Sequence, residues 1–205
     1  MSATSNGAMA NLNPAFDDYT DSANAVFRTC LDALSRPGQA FRLDPQLDAP
    51  PPLFPTSAAV LLTLADFETS YWTDVSVQEG DHINRFIRFH TGARSTGDPA
   101  AADFAIATDV TALPPLAAFK TGTRDYPDRA TTIICQVERI ETTGEFFRGP
   151  GIKDTVAFSC VPAVPEFRGQ MRANRATFPC GVDLLFTTRT HIAALPRSAV
   201  LCGEA

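Results

Sequence analysis

The densest group of side chains able to do chemistry lies in Asn84-Arg85-Phe86-Ile87-Arg88-Phe89-His90-Thr91. Asn84, Arg88 and His90 could grip a phosphate or phosphonate, because a guanidinium fork matches a tetrahedral oxyanion. A plainer account competes: cations in the last turn of a helix are favoured by the helix dipole alone. For these residues taken by themselves the plainer account is the stronger. Gly149-Pro150-Gly151 could turn backbone amides toward the same anion, although a turn needing positive φ accounts for both glycines equally well. Arg168, Arg172 and Arg175 fall at i, i+4 and i+7, one stripe of a helix. Such a stripe is either a surface for an anion or acidic partner or, more commonly, a face turned to water.

Other chemistries lack their residues. There is no GxxxxGK[ST] or GxGxxG to cradle phosphates and no GxSxG nucleophile elbow. None of the three histidines stands in a recognisable frame with a nucleophile and a carboxylate. A pyridoxal phosphate Schiff base needs a lysine, and only Lys120 and Lys153 exist, each beside polar residues as surface lysines are. Cys30, Cys135, Cys160, Cys180 and Cys202 are scattered without metal-ligand spacing, so they read as reduced, mostly buried thiols. Residue by residue, the sequence offers no catalytic constellation, no metal site and no cofactor.

The elements that would carry these groups are legible from periodicity. Asp21 or Ser22 is expected to cap a helix with Ala23, Phe27, Leu31 and Leu34 on its apolar face, stopped by Arg36-Pro37-Gly38. The proline-rich run 44–55 reads as an extended connector. Thr56 or Ser57 then opens a helix, SAAVLLTLAD, apolar nearly all round and hence buried on several sides. After a short strand at 71–73, Asp81 is expected to cap a third helix. Its face carries Ile83, Phe86, Ile87 and His90, and Gly92 ends it. Strands are expected at 104–107 and at 131–137, the latter rich in β-branched residues. A turn at Thr142-Thr143-Gly144 would fold 145–148 back as the hairpin partner of 131–137. A helix over 168–176 and a terminal hairpin, 182–187 with 191–195, complete the pass. This interleaving predicts an α/β domain, a mixed sheet with flanking helices.

Bulk properties set limits. With 205 residues the chain suits one domain, expected over 15–205, after a polar lead-in over 1–14 expected to be disordered. A net charge of −6 disfavours a broad nucleic-acid or anionic-membrane footprint, which needs clustered positive charge. The first residues have no signal-peptide pattern and no run approaches a membrane span, so a cytoplasmic protein is expected.

The order of these pieces resembles one family, the PhnH component of bacterial carbon–phosphorus lyase. The matching residues run from Phe27-Arg28 and Ala33-Leu34-Ser35-Arg36-Pro37-Gly38 through Leu61-Leu62-Thr63-Leu64-Ala65-Asp66, Thr69 and Trp72. They continue with Asn84, Arg88-Phe89-His90-Thr91, Thr121-Gly122-Thr123, Gln136-Val137 and Gly149-Pro150-Gly151-Ile152. Phe178-Pro179, Gly181, Asp183 and Ala194-Leu195-Pro196-Arg197 close the series. The resemblance implies a non-catalytic member of a core assembly with the lyase subunits G, I and J. That assembly, with the L component, couples a phosphonate to the ribose of ATP before the J component cleaves the carbon–phosphorus bond. It also implies a fold similar to pyridoxal-phosphate-dependent transferases without the cofactor, and a homodimer when isolated. It carries over no catalytic residues. Asn84, Arg88 and His90, with Gly149 and Gly151, therefore stand as candidates for contact with an anionic small molecule or a neighbouring subunit. A phosphonate or nucleotide sensor, or a small standalone transferase, is the alternative.

Overall fold

A computed structural model describes residues 15–16, 18–74 and 81–203. The lead-in expected over 1–14 lies outside the described residues, and so does the side chain of Asp81 that was expected to cap the third helix. The helices are α1 (Tyr19–Ser35), α2 (Pro55–Leu64), α3 (Asp81–Thr91) and α4 (Phe167–Ala176). The strands are β1 (Phe41–Arg42), β2 (Ser70–Thr73), β3 (Arg94–Ser95), β4 (Phe104–Ala107), β5 (Thr132–Gln136), β6 (Arg139–Arg148), β7 (Val156–Val161), β8 (Asp183–Thr187), β9 (His191–Leu195) and β10 (Val200–Leu201).

Seven strands form a mixed sheet in the order β1-β9-β8-β5-β4-β2-β3. From β8 to β3 the neighbours are parallel, whereas β9 and β1 are antiparallel additions at the other edge. The mixed α/β class expected from the sequence is the class found. Both faces are buried, which is why Ile133, Ile134 and Cys135 are apolar in succession rather than alternating with polar residues. Ile106, Ile134, Leu185 and Ile192 face a layer made by α1, α2 and α3. Ala105, Ile133, Cys135, Leu184, Phe186 and Leu195 face the opposite way, onto the antiparallel sheet β10-β6-β7 and Met171 of α4. A slip of one residue would exchange these two sets, so both cores fix the register together.

Five expectations are corrected. The strand 131–137 has no hairpin partner in 145–148, because β5 is already bonded on both sides by β4 and β8. Residues 145–148 belong instead to β6, which pairs with β7, a strand the sequence reading missed. Thr142-Thr143-Gly144 is no turn. It lies inside β6, where the register shifts between Glu141 and Glu145 and Gly144 takes φ 93°. A Cβ there would stand 2.8 Å from that of Ser159, so glycine permits a bulge here rather than a reversal.

The other three corrections concern helix ends and faces. Asp18, not Asp21 or Ser22, caps α1 by accepting from the Asp21 amide at 3.1 Å. The face α1 buries is Val26, Cys30 and Ala33, while Phe27 and Leu31 of the expected stripe are exposed. Small residues let α1 lie close on α2 and β9, an advantage that propensity in the isolated helix does not contain. Helix α2 starts with Pro55 at its first turn, so Thr56 and Ser57 do not cap it. Their hydroxyls reach to the end of β8, where Thr56 donates to the Thr188 carbonyl and Ser57 bonds the Thr187 hydroxyl at 2.8 Å.

Candidate functional site

Helix α3 is amphipathic because Ile83, Phe86 and Ile87 recur at helical spacing, and these three are buried. Asn84, at the margin of that face, accepts a hydrogen bond of 2.7 Å from the Tyr71 hydroxyl on β2. Tyr71 is fully buried, and burial pushes its phenol up to about 12, against the opposing pull of a Ser95 hydrogen bond and the Arg88 charge. The Asn84 carboxamide oxygen therefore serves a buried tyrosine and fixes α3 on the sheet. Arg88, one turn on, is exposed.

His90 lies elsewhere on the helix. Two residues of α-helix rotate a side chain by roughly 200°, so Arg88 and His90 leave α3 in nearly opposite directions. The imidazole of His90 meets the rings of Phe86 and Phe89 edge-on at 4.7 and 4.9 Å. Its Nε2 is buried and finds no hydrogen-bond partner among the described residues. Burial lowers its pKa, so the ring is held neutral near pH 7. A neutral ring pointing away from Arg88 does not complete a clamp for one anion.

The glycine loop is separate again. Gly149 and Gly151 both have positive φ, and a Cβ on Gly151 would stand 2.0 Å from the Ser35 carbonyl oxygen. The loop connects β6 to β7 and is seated against the end of α1 and Ser198. Gly38, just beyond α1, bonds Ala194 of β9 at 2.9 Å. Asn84 is seated on β2, and β8, β5 and β4 lie between β9 and β2 in the sheet. The structure thus brings Asn84 and Arg88 together on one helix face and does not bring the glycine loop to them.

The remaining polar groups mostly serve the fold. Lys120 Nζ is 2.6 Å from Asp103 Oδ1, and Asp103 also accepts from the Ser70 amide and hydroxyl. Desolvation raises the Asp103 carboxyl, but the bonds from Lys120 and Ser70 outweigh it and hold it below its ordinary value. Of the arginine stripe, Arg168 pairs with Glu145 at 2.6 Å and Arg172 bonds the Gly203 carbonyl. Arg175 stacks on Phe178. In doubly wound sheets ligands sit where the strand order reverses, here between the ends of β2 and β4. That crevice is occupied by Asp74, whose carboxylate accepts from the Thr108 amide and hydroxyl and the Asp109 amide at 2.8–2.9 Å. Among the described residues no His, Cys, Asp and Glu group is arranged to hold a metal, and no histidine hydrogen-bonds a carboxylate. No described helix is long and apolar enough to cross a membrane.

What the described surface does present is apolar. Phe67 is 72% exposed, Phe89 63%, Tyr19 52%, Leu31 50% and Phe27 44%. Tyr19, Ala23 and Phe27 of α1 form, with Thr63 at the end of α2, a cleft of about 310 Å³ in which the Thr63 hydroxyl has no partner among the described residues. Phe67 follows directly and packs on Gly92 after α3. Exposed apolar side chains grouped in this way mark a surface suited to meeting another chain.

Comparison with known proteins identifies the family. Residues 14–201 match the family model described as bacterial phosphonate metabolism protein (PhnH). The chain belongs to the PhnH family. It is 37% identical over 191 residues to the alpha-D-ribose 1-methylphosphonate 5-triphosphate synthase subunit PhnH of Rhizobium meliloti (strain 1021), covering 93% of this chain and 95% of the relative. It is 28% identical over 175 residues to a protein described as the C-P lyase subunit protein HtxG of Stutzerimonas stutzeri, covering 84% of this chain and 82% of that one.

Several residues that carried the PhnH resemblance turn out to be fasteners. Arg197 pairs with Asp183 at 2.5 Å, bonds it through Nε as well, and donates to the Pro127 carbonyl, with both side chains over four-fifths buried. Gln136 accepts from the Phe54 amide at 2.6 Å and donates to the Pro52 carbonyl at 3.1 Å, pinning the connector before α2. Asn174, which is not one of the residues that carried the resemblance, accepts from the Val182 amide and donates to the Val182 carbonyl, at 2.8 and 2.9 Å. Gly181 beside it has no room for a Cβ, which would stand 2.7 Å from the Asn174 oxygen. Sequence reasoning missed these roles, since partners 8 to 84 residues apart leave no local pattern.

Proposed function

We propose that this chain is an accessory, non-catalytic subunit of a bacterial carbon–phosphorus lyase system. It supports the step that couples a phosphonate to the ribose of ATP, giving ribose 1-phosphonate 5-triphosphate. The observation that carries the reading is the match to PhnH along nearly the whole chain, with a relative named as a synthase subunit at 37% identity. Its partners are the core subunits G, I and J, in the cytoplasm, and residues 15–205 act as one domain. Isolated, the chain is a homodimer. The exposed Tyr19, Phe27, Leu31, Phe67 and Phe89 support this, since apolar side chains on a helical layer are stabilised by a second surface.

The fold is kin to pyridoxal-phosphate-dependent transferases without the cofactor. In support, Lys120 is committed to Asp103 and Lys153 stands on an exposed turn. Asn84, Arg88 and His90 act at a contact with a neighbouring subunit or its anionic ligand. The exposed Phe89 between Arg88 and His90 favours the subunit. Gly149 and Gly151 form a second, separate contact of the same kind.

The test is a tagged pull-down from phosphate-starved cells growing on methylphosphonate, with mass spectrometry of what co-purifies. The other lyase subunits are expected in fixed proportion, and recovery of the chain alone while they are expressed would overturn the assembly role. In the same cells, alanine at both Arg88 and His90 is expected to impair growth on methylphosphonate. Normal growth with a normal complex removes the α3 contact.

A further inference from the structure

On the side of the main sheet away from α1–α3, a cavity of about 440 Å³ opens where β6, β7 and the start of α4 converge. Its volume falls in the range of small-molecule sites, roughly 300–1,000 Å³. Phe158, Val164 and Phe167 wall it. Behind them the Phe158 and Phe186 rings stand 4.8 Å apart and Phe167 lies 6.1 Å from Phe147, so the wall is part of a packed aromatic cluster. Burial raises the Cys160 thiol, which leaves its sulfur as apolar lining rather than a nucleophile.

Two backbone irregularities shape the opening. Gly144 supplies the bulge in β6 on one side. On the other, Glu166 takes left-handed backbone at φ 48°, the one positive φ at a described residue other than glycine. Bulges and left-handed non-glycine residues persist where the surroundings over-determine them, and they gather around binding sites. Glu166 leaves α4 without a side-chain cap. At the rim Arg168 holds Glu145 at 2.6 Å through one N–H, and a guanidinium carries five.

We propose that this cavity binds a small organic acid with an aromatic or branched hydrocarbon body. The body lies against Phe158, Val164 and Phe167, and the acid group bonds Arg168 beside or in place of Glu145. The apolar walls disfavour a sugar or a nucleotide, which would leave hydroxyls unpaired, and Arg168 is the one cation lining the cavity, with Glu145 and Glu166 as the carboxylates an acid must displace or stand clear of. The site is independent of the contact made by the helical layer, because those exposed faces lie across the main sheet from it.

Phenylphosphonate serves as the probe, titrated against the full chain by ligand-observed and phosphorus NMR. Saturable binding is expected. Gly169→Trp is expected to abolish it, since a Cβ on Gly169 meets nothing within 4 Å and the ring can fill the cavity while the melting temperature is kept. Glu145→Gln, which frees the guanidinium, is expected to tighten binding roughly threefold, and Arg168→Gln to weaken it by at least that factor. Benzyl alcohol, the same body without the acid, is expected to bind more weakly. Absence of saturation with wild-type protein overturns the site, and so does binding that survives Gly169→Trp unchanged. Equal affinity for benzyl alcohol, or indifference to Arg168→Gln, overturns the acid class.

Discussion

At the scale of single residues, the chemistry-bearing side chains of α3 divide by their neighbours rather than by their type. Asn84 is drawn inward by the Tyr71 hydroxyl, Arg88 stays in water, and His90 is enclosed by two phenylalanine edges with its Nε2 unbonded. His90 yields a test of its environment. Its folded pKa lies below the ordinary 6.5, so the unfolded chain takes up a proton first as the pH drops. The neutral ring's stability is fully present above pH 6.5 and is lost as pH falls from there toward the lowered folded value. In thermal denaturation, His90→Phe is therefore expected to gain on wild type as pH is lowered from 8 to about 5. A difference in melting temperature that does not vary across that window would mean the ring is not held neutral by burial.

At the scale of elements, pairs of segments are joined by side chains that substitute for secondary structure. Asn174 is the clearest, because its carboxamide takes both backbone groups of Val182 and fastens α4 to the strand that enters the centre of the sheet. Asn174→Ala leaves a buried amide and a buried carbonyl unpaired and is expected to cost about 3 kcal/mol in chemical denaturation. Asn174→Asp keeps the acceptor for the amide and is expected to fall between. A loss under about 1 kcal/mol for the alanine variant would show that water replaces the carboxamide. Helix α1 illustrates the limit of local reading. Its sequence holds two apolar stripes, Ala23-Phe27-Leu31 and Val26-Cys30-Ala33, and helical periodicity alone ranks the larger residues first. The smaller stripe is buried, because a close approach to α2 and β9 excludes bulk.

At the scale of the whole molecule, three layers leave the helical one with an apolar outer surface. If that surface meets another chain, its loss should disturb assembly and spare folding. Phe27→Asp with Phe67→Asp is expected to keep the wild-type melting temperature within a few degrees, since both side chains are substantially exposed. The same pair is expected to reduce the molar mass seen by light scattering and the recovery of lyase subunits in pull-downs. Unchanged mass and unchanged recovery would move the interface off this face.

The sequence by itself determined the α/β class, the four helices within a few residues, the strands at 104–107 and 131–137, the terminal hairpin and, through residues spread along the chain, the PhnH family. Those features rest on periodicity, turn residues and order, all of which are local or cumulative. Only the tertiary structure decided that β5 runs between two parallel strands, that Gly144 makes a bulge, which stripe of α1 is buried, and that the α3 residues and the Gly149–Gly151 loop stand apart. The apolar cavity beneath α4 belongs with these, being assembled from β6, β7 and α4. Each depends on which distant segment takes an available edge or face. That choice is settled by burying both sides of one sheet at once, a condition on the whole chain that no window of sequence contains.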